Sequence, residues 1–397
     1  MMRKNNDSKW ATASLILSGL LSIASLAVEP GYCAGTDLIK TPPPLEAESV
    51  KPLPELNRLF DQRHGWVGAD GAFSVPIGLE ETIWTFGDTW IGDIEGSKRI
   101  KVDMINNTVA RGKLHADETK PSGIEYGDLT FYWDKSRPKP DSIWKARDKE
   151  YVWPGDGAFV DGRLYVFLHR IRTNLKLPPP FQFETVGHDL VVIDNPQEEP
   201  AKWRQRSVSL PWHPEAVHAG AACYLQGNYL FVFCTAPRRK SGMNPHPLIL
   251  ARIERDSLAE LNLENMEFFA GGATWTSDPE KASILFEDAG PEMSVGRVKG
   301  IEGVIAVYMP PLSKDIAVRR APCPEGPWSA ATRVYNCPEK EDNVILYSAK
   351  GHSELSARER SLVVTYCRNT KDMESHFNNA SIYFPRALLI RFAPDKR

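Results

Sequence analysis

Cysteine is scarce in this chain. Six occur among 397 residues, and Cys33 lies in or beside an N-terminal apolar segment, which leaves at most five for the fold. So sparse and odd a set excludes a disulfide-built scaffold. Hairpins would bring together Cys323 with Cys337 and Cys223 with Cys234, and buried free thiols fit the pattern as well. Neither C-x-x-C nor H-E-x-x-H spacing occurs, and a G-x-S-x-G elbow and a Walker loop are also missing. Excess charge of one sign is lacking too. The formal net charge is -3, which disfavours nucleic acid or an anionic membrane as partner. The basic spots Arg170/Arg172 and Arg238-Arg239-Lys240 are short and suit solvated loops. After the N-terminus no apolar run is long enough to cross a bilayer, and no long amphipathic helix pattern appears.

Aromatic and turn-forming residues are plentiful. The chain carries 11 Trp, 16 Phe, 12 Tyr, 28 Gly and 31 Pro, a composition that leans towards strands and turns. At the N-terminus, basic Arg3, Lys4 and Lys9 precede an uncharged, mostly apolar run from Ala11 to Val28, with small residues at Ser25, Ala27 and Ala34 offering cleavage sites. We expect residues 1–34 to be an export signal and the mature protein to be secreted or periplasmic. Thr41 to Pro54 is rich in Pro and Glu, so residues 35–55 are expected to be a linker, and 56–397 the folded domain.

The clearest local signal is Gly68 to Trp90. Apolar runs at 72–77 and 82–86 flank the turn Gly78-Leu79-Glu80-Glu81, the pattern of a β-hairpin. Asp70 precedes the first run and Asp88 follows the second, so pairing the strands brings both carboxylates to one mouth. Altered copies recur at 153–169 (turn Asp161-Gly162), 218–234, 291–309 and 351–367. Each has a small-residue first strand and a strongly apolar second strand. More polar strands follow, including 189–193, 203–208, 248–253, 316–320 and 387–392. A short helix is expected within 257–265. Five units of about four strands each predict an all-β, five-bladed β-propeller. A two-sheet sandwich explains the strands, but not why the small-residue strand comes first in every unit.

The starts of a propeller's innermost strands ring one mouth of its axis. The repeats place Asp70, Asp156, His218, Glu292 and His352 on that ring, with Asp88, His169, Tyr308, Tyr366 and Arg368 at the ends of second strands. Asp and Glu also serve as turn and cap residues, but three acids in five positions is a chemical pattern. Two nearby, partly buried carboxylates repel each other, so one stays protonated near neutrality. That is what glycoside cleavage needs: an acid for the leaving oxygen, and a carboxylate that attacks or activates water. Trp66, Trp90 and Trp153 offer flat faces for sugars, whereas Trp84 inside an apolar strand reads as core. His218 and His352 could face the axis and admit a central metal, but their spacing carries no ligand signature. We expect no cofactor, no metal and a monomer.

The motifs G-A-D-G-A-F-S-V-P (68–76), F-G-D-T-W (86–90), N-N-T (106–108), W-P-G-D-G (153–157), G-P-W-S (326–329) and A-K-G-H-S-E-L (349–355) together resemble a known family. It is a five-bladed propeller family of glycoside hydrolases, first catalogued as a domain of unknown function, that includes bacterial endo-D-arabinanases. The resemblance spans about residues 56–395. It implies catalysis by Asp70 and Asp88 on a polysaccharide or oligosaccharide. The expected substrate-binding residues are Asn107, Trp153, Asp156, His218, Glu292 and His352. The family usually has H-P-E-L where this chain has His352-Ser353-Glu354-Leu355. A non-catalytic glycan-binding propeller is the alternative from another functional class.

Overall fold

The computed structural model describes residues 40–179, 181–239, 246–339 and 343–395. The expected export signal at 1–34 lies outside the described residues. The chain first lays down β1 (Ala47–Pro52). Blade 1 comprises β2 (His64–Pro76), β3 (Glu81–Glu95), β4 (Lys98–Ile105), β5 (Thr108–Ala116) and β6 (Ile124–Tyr132). Blade 2 comprises β7 (Glu150–Val160), β8 (Arg163–Thr173), β9 (Phe183–Ile193) and β10 (Gln205–Ser209). Blade 3 has β11 (His218–Gln226), β12 (Tyr229–Thr235), β13 (Leu248–Glu254), β14 (Glu267–Gly271) and β15 (Thr274–Thr276). Blade 4 has β16 (Ser294–Gly296), β17 (Val304–Tyr308), β18 (Asp315–Ala321) and β19 (Thr332–Asn336). Blade 5 has β20 (Val344–His352), β21 (Ser361–Thr370) and β22 (Arg386–Phe392).

Each sheet is an antiparallel meander that starts at its innermost strand. The five inner strands β2, β7, β11, β16 and β20 touch in turn around an axis, with β20 returning to β2. The fold is a five-bladed β-propeller. Five buried apolar clusters fill the spaces between neighbouring blades, for example Val160, Phe167, Val192, Leu230 and Phe268 between blades 2 and 3. This layout explains the sequence pattern. A second strand buried on both faces reads as a continuous apolar run, and small residues on the first strand let five strands converge on the axis.

One expectation about chain organisation is corrected. Residues 47–52 fall in the supposed linker, yet β1 pairs with β22 from Ala47↔Phe392 to Pro52↔Leu388 and forms the outer edge of blade 5. The two ends of the described chain thereby close the ring. Of the alternatives open for the cysteines, neither hairpin pair forms, and Cys223, Cys234 and Cys337 are free thiols. The register sets Cys223 opposite Val232 rather than Cys234. Cys337 donates its backbone N–H to Lys314, at the far end of β18 from Cys323. The turn Asp161-Gly162 forms as read, both residues having positive φ (50° and 81°), as a two-residue hairpin with the twist of its strands requires. The helix expected within 257–265 resolves into a helix at Arg255–Ala259 and a single 3-10 turn at Leu263–Asn265.

Candidate active site

Asp70 and Asp88 come together, though not at strand ends. Both lie inside the long strands β2 and β3, where the ladder is broken by register shifts between Trp66 and Ala69, Ala69 and Gly71, and Gly71 and Phe73. Gly71 and Ala72 adopt positive φ (79° and 59°). Such a bulge re-aims the side chain beside it, and here it turns Asp70 out of the sheet. The facing residue must be glycine, because a Cβ on Gly87 would stand 2.4 Å from Asp70 Oδ1. This close approach accounts for the glycine in F-G-D-T-W.

The two carboxylates are held differently. Asp70 Oδ2 accepts hydrogen bonds from the hydroxyls of Tyr347 (2.6 Å) and Tyr383 (3.0 Å), both from blade 5. Asp88 Oδ1 accepts from Asn106 Nδ2 (3.0 Å) and Trp153 Nε1 (2.7 Å). Every one of these donors is neutral, so neither carboxylate has a cationic partner among the described residues. Burial pushes the Asp70 carboxyl up to about 8, helped by the charges of Asp88 and Glu292, against the opposing pull of the two tyrosines. Burial also raises Asp88, to about 6, opposed by Asn106 and Trp153. Asp70 is thus the protonated member of the pair near neutrality.

A directed chain of hydrogen bonds stands behind Tyr347. The Trp90 indole N–H, which can only donate, gives to His376 Nδ1 (3.2 Å). That fixes the imidazole proton on Nε2, which faces Asn369 Oδ1 at 2.9 Å. Asn369 Nδ2 donates to the Tyr347 oxygen (3.1 Å), so the Tyr347 hydroxyl proton points at Asp70. The N-N-T motif acts through all three residues. Asn106 holds Asp88. Asn107 donates to the carbonyls of Trp144 and Val152 (2.8 and 3.0 Å) and accepts from the Trp144 N–H (2.9 Å). Thr108 bonds the hydroxyl of Thr89 (3.0 Å) and accepts from Trp66 Nε1 (3.1 Å).

The ring read from the repeats divides in three. Asp70, Asp88, Trp153 and Glu292 form one group at the strand-start side of the axis, Glu292 lying close enough to raise Asp70. Asp156 and His352 belong elsewhere. They line a cavity of about 340 Å³ towards the strand ends, together with Ser74, Cys223, Lys350 and Glu354. Asp156 accepts from the backbone N–H of Gly157 (2.8 Å) and of Cys223 in the next blade (2.7 Å). His352, 2% exposed, bonds Ser74 (2.6 Å) and Thr365 (2.7 Å). The fifth inner strand starts at Val344, so His352 ends it, and the residue that meets Asp70 is Tyr347. Asn107 is fully buried and spent on backbone groups, so it lines no subsite. His218 and His169 face each other and His188 rather than the carboxylates.

Other expectations resolve as core or scaffold. Trp66 and Trp84 are 1% exposed and pack with Phe60 and Phe86, and Trp90 is buried against His376. Tyr308 joins Asp288 and Arg319, Tyr366 packs on Tyr335, and Arg368 pairs with Glu339 at 2.6 Å. Sequence reasoning missed Tyr347, Tyr383, Asn106 and buried Lys350. Of these, only Asn106 carried a usable signal, as the neighbour of the residue chosen instead.

No curated protein matches the chain. Solved structures do, at the level of fold. A crystal structure of a Bacteroides ovatus protein, proposed to be a hydrolase, superposes with a TM-score of 0.65 at 16% identity, covering 86% of this chain and 90% of that one. A xylose complex of the GH43_1 enzyme from Xanthomonas citri matches at 0.42 and 12% identity, covering 86% and 93%. A family 117 glycoside hydrolase of the marine bacterium Zobellia galactanivorans matches at 0.42 and 10%, covering 88% and 89%. Residues 54–392, nearly the whole propeller, match the family described as "Domain of unknown function (DUF5005)", and the chain belongs to that family.

Proposed function

We propose that this protein is an exported glycoside hydrolase acting on a furanose-type polysaccharide such as D-arabinan, with Asp70 as the proton donor and Asp88 as the nucleophile or base. The observation that carries the reading is the pairing of two buried carboxylates held only by neutral donors, Asp70 by Tyr347 and Tyr383 and Asp88 by Asn106 and Trp153, with burial raising both and the charge of Asp88 raising Asp70 further. Environments that push paired carboxyl groups apart assign the acid and its ionised partner. With Oδ2 occupied by two tyrosine hydroxyls, Oδ1 is left to carry the proton towards a glycosidic oxygen. Half-buried Trp153 anchors Asp88 through its N–H, and its ring packs with Tyr151 and Phe183 in an aromatic group beside the carboxylates. The furanose substrate rests on the resemblance of the motifs around Asp70 and Asp88. Export rests on the basic, then apolar, N-terminus.

The test is reducing-sugar release from D-arabinan, L-arabinan and fructans by wild type, Asp70→Asn and Asp88→Asn. Release from D-arabinan is expected, with each variant reduced by at least about 10³-fold, within the range for loss of an acid–base group. Equal release by wild type and variants removes the catalytic assignment. Binding of the glycan without turnover by the wild type would make the protein a lectin-like module.

A further inference from the structure

Three histidines that the proposed chemistry does not use meet between blades 2 and 3. His169 on β8 and His188 on β9 are direct cross-strand partners, and His218 opens β11 in the next blade. One ligand nitrogen from each lies within 4.8 Å of the others, and His169 Nδ1 is 3.2 Å from His218 Nε2. The His169 and His218 rings stack, with His188 edge-on to both. His188 is 1% exposed, and neither of its ring nitrogens has a hydrogen-bond partner. Nδ1 of His218 is also buried without one.

Buried, unpaired ring nitrogens cost about 1–3 kcal/mol each, and native structures rarely leave such groups unmet. A shared cation would satisfy one nitrogen on each ring. Two imidazole ligands of a tetrahedral zinc ion at about 2.0–2.1 Å stand about 3.3 Å apart, and the His169–His218 pair already has that spacing. The third ring lies within 4.8 Å, so closing that side requires His188 to approach by up to about 1.5 Å. Gly155 keeps the neighbourhood open, since a Cβ there would stand 2.6 Å from His169 Nε2. The nearby Arg170 guanidinium opposes a cation, but it is flanked by the carboxylates of Glu150 (3.6 Å) and Asp189 (3.5 Å).

We propose that His169, His188 and His218 form a binding site for one first-row divalent cation of the zinc type, which ties blade 2 to blade 3. An all-imidazole donor set suits zinc and its neighbours rather than calcium or magnesium, which take oxygen ligands. Three protein ligands leave a fourth position for water. The site is independent of Asp70 and Asp88, so it stands or falls separately from the glycosidase reading.

Chelator-stripped protein should be titrated with Zn²⁺ by calorimetry and with Co²⁺ by visible absorption, and its melting temperature followed with and without Zn²⁺. One equivalent should bind, Co²⁺ should give the intense bands of a four-coordinate site, and Zn²⁺ should raise the melting temperature. His188→Ala and His218→Gln should each weaken Zn²⁺ binding by more than about 100-fold, beyond the 10–100-fold typical of losing an outer-shell contact. The melting shift should vanish with it. If one variant fails to fold, the affinity of the other decides. Absence of stoichiometric binding by wild type, or wild-type affinity in a folded variant, would leave a stack of neutral imidazoles and overturn the site.

Discussion

Replacing Tyr347 with phenylalanine isolates the control of the acid. The change keeps the ring and removes the shorter of the two hydrogen bonds to Asp70 Oδ2, 2.6 Å against 3.0 Å from Tyr383. That bond favours the charged carboxylate and so lowers its pKa. Its loss therefore raises Asp70 further. A hydrogen bond to a charged group is worth about 1.5–3 kcal/mol, and one pKa unit is about 1.36 kcal/mol, so the shift is about 1–2 units. On the proposed mechanism the wild-type pair should give a bell-shaped profile of kcat/KM. The acid limb, expected near 6, would follow ionisation of Asp88, and the alkaline limb, expected near 8, would follow loss of the Asp70 proton. Tyr347→Phe should move the alkaline limb to higher pH by about 1–2 units and leave the acid limb in place, because Tyr347 does not touch Asp88. The assay is kcat/KM against pH on whichever polysaccharide the wild type cleaves. An alkaline limb that stays put or moves to lower pH would refute the assignment of Asp70 as the acid.

Four further outcomes follow from the same geometry. Asn107→Ala should destabilise the fold by about 2–4 kcal/mol, since it leaves buried backbone groups of Trp144 and Val152 unpaired. Asn106→Ala should instead leave stability near wild type and move the acid limb up, so chemical denaturation and pH profiles separate the two neighbours. Gly87→Ala should lower kcat by about 100-fold while the protein stays folded by circular dichroism, because its Cβ displaces Asp70 Oδ1 from 2.4 Å away. Finally, Asp70 has a folded pKa raised from 3.8 to about 8, so the stability it confers is fully present below about pH 4 and lost as pH rises to about 8. Asp70→Asn should therefore flatten the decline in urea-unfolding free energy across that window by about 1 kcal/mol per pH unit. An unchanged slope would mean Asp70 is not held protonated.

The sequence alone was enough for the inner hairpins, the five-fold repeat and the pairing of Asp70 with Asp88. Alternation, turn residues and hairpin return are local properties, and two residues at mirrored positions in one hairpin must meet whatever the rest does. Even there a detail escaped: the strands continue past both aspartates, and a bulge with left-handed Gly71 and Ala72, rather than a strand end, exposes Asp70. The fifth repeat was misaligned because its first strand, Val344–His352, opens on the apolar run Val344-Ile345-Leu346-Tyr347 instead of on small residues, so His352 took the place that belongs to Tyr347. Only the tertiary structure decided which side chains surround the carboxylates. The tyrosines arrive from blade 5, nearly 280 residues or more away in sequence, and a phenol donor leaves no spacing rule behind. Asn106 and Asn107 differ by one position in the bend between β4 and β5, and that bend sends one to Asp88 and the other into the core. The three histidines likewise meet only because β9 pairs with β8 and blade 3 packs on blade 2. Local pattern fixes where a strand can lie, whereas the packing of one blade on the next fixes which charges lose their water, and that desolvation sets the chemistry.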